Sequence, residues 1–188
     1  MNATTQLPVV FLAFANALDD HLETLKEESR SVFRVLQPLA LDEKLLIHRD
    51  VRSEFDELYT DLLAYDSRIV IFHYGGHADG SMLQLEGGKG SAVGIAGLLG
   101  QQSSLKLVFL NGCATKNQVR LLHAAGVPAV IATAVKISDS KATQFSTAFY
   151  LALAEGKSIF SAFESARNYV EGKHSADGKN AAVINRHP

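Results

Sequence analysis

Short, uniformly apolar runs recur along this chain of 188 residues, and they constrain its fold more than any other feature. Val9-Val10-Phe11-Leu12 lies within an apolar stretch over residues 7–15, and Ile69-Val70-Ile71-Phe72, Leu107-Val108-Phe109-Leu110 and Ala129-Val130-Ile131-Ala132 follow. A strand with one wet face alternates apolar and polar side chains. A run with no polar partner in alternation must be covered on both faces, as the central strands of parallel sheets are. Between the runs lie segments with helical spacing. Leu22, Leu25, Val32, Phe33 and Leu36 form an apolar stripe after Asp19 and Asp20, and Pro38 is expected to close it. Leu45-Leu46-Ile47 reads as a second short strand. Phe55, Leu58, Leu62 and Leu63 read as a second helix, with Ser53 as its cap.

The third strand is expected over residues 69–72, followed by a glycine-rich exit and a small hairpin at Met82-Leu83-Gln84-Leu85. Gly87, Gly88, Gly90, Gly94 and Gly97 then mark turns and a poorly formed helix around residues 95–99. A strand over 105–110, a helix over 117–125 and a strand over 129–132 complete the sheet. Helices over 140–154 and 158–170 close the unit, with Gly156 as the stop between them. Alternation of strand and helix predicts an α/β fold with a mainly parallel central sheet between two helical layers. The expected division is one domain over residues 1–171 and a tail or linker over 172–188.

Composition excludes several classes of function. A formal charge of -2, with Lys and Arg scattered along the chain, argues against a nucleic-acid platform. No apolar stretch reaches the roughly 20 residues that a membrane span needs, and nothing like a secretion signal is read ahead of the first strand. One cysteine cannot form an internal disulfide, so a reducing, cytoplasmic compartment is expected. His21, His48, His123, His174 and His187 make no ligand spacing with one another, and no metal or cofactor is expected. The glycines over residues 75–100 lack the order of a phosphate-binding loop.

Two apolar runs end in reactive side chains. The run at 69–72 leads into His73-Tyr74-Gly75-Gly76-His77, and the run at 107–110 leads into Asn111-Gly112-Cys113-Ala114-Thr115. In open parallel sheets, sites form beyond the carboxyl ends of the strands, where the residues that follow successive strands emerge together. If these two strands are neighbours, their ends lie about 4.8 Å apart. A thiol of pKa about 8.5 is only slightly ionised at neutral pH and needs a base to become a nucleophile. His77 can accept its proton and later deliver it to a leaving amine, which suits the pair to acyl transfer. Gly76 and Gly112 allow tight turns that aim backbone N–H groups at an oxyanion, the candidates being those of Cys113 and Ala78. His73 and the two glycines are expected to support the site from beneath.

At these residues the chain resembles the CHAT domains, caspase-like cysteine proteases of the clan that includes caspases, gingipains and separase. The likeness covers residues 1–171, including the first strand and helix and the closing helices with Phe149-Tyr150, Glu155-Gly156-Lys157-Ser158 and Ala162 to Ala166. It departs where Ala78-Asp79-Gly80 follows the histidine and where Ala134-Val135-Lys136 follows the fifth strand. The resemblance implies a caspase-like three-layer α-β-α sandwich, a Cys113–His77 catalytic dyad, and hydrolysis of peptide bonds in a protein substrate without a cofactor. It also implies a regulated bacterial signalling or defence protease, with further domains or a regulatory partner.

Other readings compete at each position. A lone cysteine after a strand is ordinarily a small buried hydrophobe, and the paired histidine is what lifts Cys113 above that. Asp19, Asp20 and Asp139 suit helix starts through the macrodipole, but they could instead line a pocket selecting a basic side chain. No arginine is expected at the equivalent edge to suggest a caspase-like preference for aspartate. Residues 80–100 could form a mobile gate beside the site. An inactive caspase-like scaffold is the main alternative. A receiver-like signalling domain is weaker, because it requires an aspartate where His73-Tyr74-Gly75 stands.

Overall fold

A computed structural model describes residues 6–16, 23–78, 81–86, 88–112, 115–133, 138–173 and 182–186. The central sheet has six strands: β1 (Val9–Ala15), β2 (Leu46–Asp50), β3 (Ile69–Gly76), β6 (Leu107–Asn111), β7 (Ala129–Thr133) and β8 (Ala182–Arg186). Their spatial order is β2-β1-β3-β6-β7-β8, parallel except for β8, which pairs antiparallel with β7. A separate antiparallel hairpin joins β4 (Met82–Leu85) and β5 (Gly88–Ser91).

Every side chain of β1 is buried, as its uniform composition predicts. Val9, Phe11, Ala13 and Ala15 enter one core, together with Leu58 and Leu62 of α2 (Phe55–Ala64), Ile95 and Leu99 of α3 (Ala92–Gly100), and Leu122 of α4 (Gln118–Ala124). Val10, Leu12 and Phe14 enter the other, with Val32 and Leu36 of α1 (Glu23–Leu41), Phe149 of α5 (Asp139–Ala154) and Phe163 of α6 (Ile159–Lys173). Two cores on opposite faces of one sheet make the expected three-layer α/β sandwich. Each fully buried Leu or Phe stabilises it by about 1.5–3 kcal/mol.

Several local expectations are corrected. Pro38 lies inside α1, because a proline one turn from the end forfeits a single hydrogen bond while its own carbonyl still accepts the Asp42 N–H at 3.0 Å. Ser53 does not cap α2, whose N-cap is Glu54. Instead Ser53 is buried, its N–H donating to the Phe14 carbonyl and its carbonyl accepting the Glu86 N–H, so it ties β1 to the end of β4. β3 runs four residues past Phe72, to Gly76, because the polar His73 and Tyr74 find partners in the interior. Residues 81–86 and 88–100 form the hairpin and a helix, α3, longer than the one expected around 95–99, with Leu83, Leu85, Ile95 and Leu99 buried. Part of the expected tail, Ala182–Arg186, pairs with β7 as β8.

Candidate active site

Parallel pairing of β3 with β6 sets Gly75 opposite Asn111, so the segments that carry His77 and Cys113 leave adjacent strands at the same edge of the sheet. The two exits pack tightly. A β-carbon on Gly112 would stand 2.8 Å from the Gly76 carbonyl oxygen and 2.8 Å from the Ala78 β-carbon, contacts that only glycine permits. Gly112, the residue before Cys113, thus touches both neighbours of His77. Cys113 itself lies outside the described residues, as do Asp19 and Asp20.

His77 is half-buried, and its backbone is fixed on the side facing the hairpin. Its carbonyl accepts the Gln84 N–H at 2.9 Å and lies 2.6 Å from the Tyr74 hydroxyl, which is equally close to the Gln84 carbonyl. Burial pushes the Tyr74 pKa far above that of a free tyrosine. The phenol therefore stays protonated and donates. Ala78 bridges to Leu83, which extends the hairpin's reach to the residue after the histidine. Gly76 ends β3 opposite Ala15, where a β-carbon would stand 2.5 Å from the Ala15 carbonyl oxygen.

His73 is fully buried on the opposite face of β3 from Tyr74 and reaches Tyr150, with 3.2 Å between its Nδ1 and the phenol oxygen. Its Nε2 lies 3.3 Å from Glu28 Oε1, outside good hydrogen-bond alignment. Glu28 Oε1 also accepts the Asn111 side-chain amide at 2.5 Å. A buried polar cluster from α1, β3, β6 and α5 thus lies directly below the two exits. Burial raises the Tyr150 pKa, and the nearby Glu28 carboxylate adds to the rise. At the far side of the Cys113 segment, the Thr115 hydroxyl accepts the Thr133 N–H at 3.0 Å, and the Thr133 hydroxyl donates to the Gly112 carbonyl.

Sequence reasoning had singled out His73 but not Glu28, Asn111 or Tyr150. One signal was available, since Glu28 and Ser29 occupy the gap between Leu25 and Val32 on the apolar stripe of α1. Asp139 opens α5 and is exposed, in the position that the helix macrodipole favours. His48 and His123 have local partners, the Asp61 carboxylate at 2.9 Å and the Val127 carbonyl at 2.9 Å. Arginines do stand at the carboxyl edge. Arg49 and Arg52, at and just after the end of β2, line a cavity beside β1 that the one-dimensional order of the chain concealed.

No helix among the described residues is long and apolar enough to cross a membrane. No curated protein shows significant similarity to the chain. The CHAT domain family matches residues 5–187, which takes in every strand of the sheet and both exits. The chain belongs to the CHAT domain family, which is related to the caspase-like cysteine proteases.

Proposed function

We propose that this domain is a cysteine endopeptidase in which His77 activates the thiol of Cys113. The observation that carries the reading is the packing of Gly112 against both neighbours of His77, at the edge where β3 and β6 lie side by side. Family membership supports a peptidase-like fold beneath it. His77 takes the proton from the thiol, and the thiolate adds to the scissile carbonyl carbon. The N–H groups of Cys113 and Ala78 are the proposed donors to the oxyanion. Collapse of the tetrahedral adduct breaks the C–N bond as the imidazolium returns its proton to the leaving amine. Water, deprotonated by His77, then cleaves the thioester and restores the thiol. A thiol nucleophile favours a reducing compartment, and a protease that shares a cytosol with its substrates favours regulation by a partner.

A peptide-library cleavage profile tests the reading. Wild-type protein should cleave a subset of peptides, while Cys113→Ala and His77→Ala should each lose activity by at least about 10³-fold. Alkylation of Cys113 at neutral pH no faster than that of free cysteine, with no slowing in His77→Ala, would sink the dyad. Persistent cleavage by Cys113→Ala would do the same.

A further inference from the structure

The cavity beside β1 has a volume of about 440 Å³ and opens at the carboxyl edge of the sheet. Asn16, the residue after β1, stands at its rim. The register of β1 on β3, with Ala15 opposite Gly76, makes Asn16 the counterpart of His77 on the neighbouring strand. The cavity and the Cys113 segment therefore flank the end of β3 from opposite sides.

Its lining is chemically uneven. Phe14, Leu25 and Val51 give it an apolar floor. Among the described residues, four cationic side chains, Lys26, Arg30, Arg49 and Arg52, stand around them with one carboxylate, Glu86. None of the four cations forms an ion pair among the described residues. Arg49 is held in place by the Phe33 ring, with its Cζ 4.9 Å from the ring centroid, so less freedom is lost when it meets a ligand. Ser29 adds a second, independent sign. Only 2% of this residue is exposed, it lines the same cavity, and its hydroxyl has no hydrogen-bond partner among the described residues. A buried hydroxyl left without a partner costs about 1–3 kcal/mol, a cost that an anionic acceptor in the cavity would relieve.

We infer that this cavity binds an acidic side chain of a peptide lying across the edge of the sheet, with the carboxylate between the guanidinium groups and the Ser29 hydroxyl. The inference rests on the peptidase reading, which is what lays a peptide over His77. An aspartate or glutamate suits the lining because its methylene groups meet the apolar floor while its carboxylate meets the cations. Free phosphate would satisfy the charge alone and leave the floor unused. The sequence had suggested a pocket lined by carboxylates that selects basic side chains; this cavity has the opposite preference.

Binding rather than cleavage provides the test. Full-length Cys113→Ala protein is titrated into a fluorescein-labelled hexapeptide rich in glutamate and into its glutamine counterpart, with anisotropy as the readout. The glutamate peptide should bind about tenfold more tightly, and the preference should fall to about unity in Arg30→Gln/Arg52→Gln, as expected when two partly exposed ionic contacts are lost. Lys44→Gln, which alters an exposed cation ahead of β2 at the opposite edge, should retain the preference. A melting temperature close to that of Cys113→Ala shows that the double variant is folded, since both arginines are exposed. Equal binding of the two peptides overturns the inference, as does a preference that survives the double substitution. Displacement of the peptide by inorganic phosphate at a lower concentration than by unlabelled glutamate peptide also overturns it, in favour of a small-anion site. Failure of the dyad in wild-type protein would leave this binding result standing, and failure of discrimination here would leave the dyad standing.

Discussion

The carboxylate of Glu28 meets the side-chain amide of Asn111 at 2.5 Å, joining the second turn of α1 to the last residue of β6. Glu28 is 3% exposed, so this is a carboxylate withdrawn from water and balanced by fixed partners. Glu28→Ala would leave the Asn111 amide and the His73 Nε2 facing a void. The expected cost is about 2–3 kcal/mol, read as a drop in the urea midpoint at unchanged m-value. Glu28→Gln keeps the shape and one acceptor oxygen, and it should cost less than the alanine variant. Equal stability of all three proteins would show that the carboxylate contributes nothing to the fold.

Gly112 provides a test of how closely the two exits are coupled. A side chain there meets the Gly76 carbonyl and the Ala78 β-carbon, and neither can swing aside as the end of a long side chain would. Gly112→Val should therefore separate the exits and destabilise the protein by about 1–3 kcal/mol. On the proposed dyad reading it should also slow alkylation of Cys113 at neutral pH relative to wild type, because Gly76 and Ala78, which flank His77, are pushed away from Gly112. Unchanged stability together with unchanged thiol reactivity would mean that this contact does not set the geometry of the site.

Much of this was legible in the sequence, for a physical reason. Runs such as Val9-Val10-Phe11-Leu12 have no polar alternation, so their burial on both faces follows from composition, and all of β1 is buried. The shared edge at the ends of β3 and β6 was legible because residues after neighbouring parallel strands emerge together. The interior of β3 beyond Phe72 was not legible. His73 and Tyr74 look like the start of a loop until Glu28, Tyr150 and the carbonyls of His77 and Gln84 are brought to them from distant segments. The cationic cavity was hidden for a similar reason. Arg49 and Arg52 share a cavity with Lys26 and Arg30 of α1 only because β2 takes the outer place beside β1.

Tyr150 ties α5 to His73, and its titration gives a prediction with a defined sign. The phenol is fully buried, and its pKa is raised first by burial and then by the Glu28 carboxylate. Tyr74 is raised by burial as well. A tyrosine whose folded pKa exceeds its unfolded value favours the folded state fully at pH values below about 10, the unfolded pKa. Above that value the unfolded chain releases its proton while the folded chain keeps it, and stability falls by about 1.4 kcal/mol per pH unit for each such group. Urea midpoints at neutral pH should show Tyr150→Phe weaker than wild type by about 1 kcal/mol, the usual value of the lost bond to His73. As pH rises past about 10, wild type should lose stability more steeply, because the variant has one fewer buried phenol to keep protonated, and the difference between the proteins should shrink. Parallel profiles across that window would mean that the Tyr150 hydroxyl is not held neutral by its surroundings, and the buried cluster beneath the site would then need a different account of its charge.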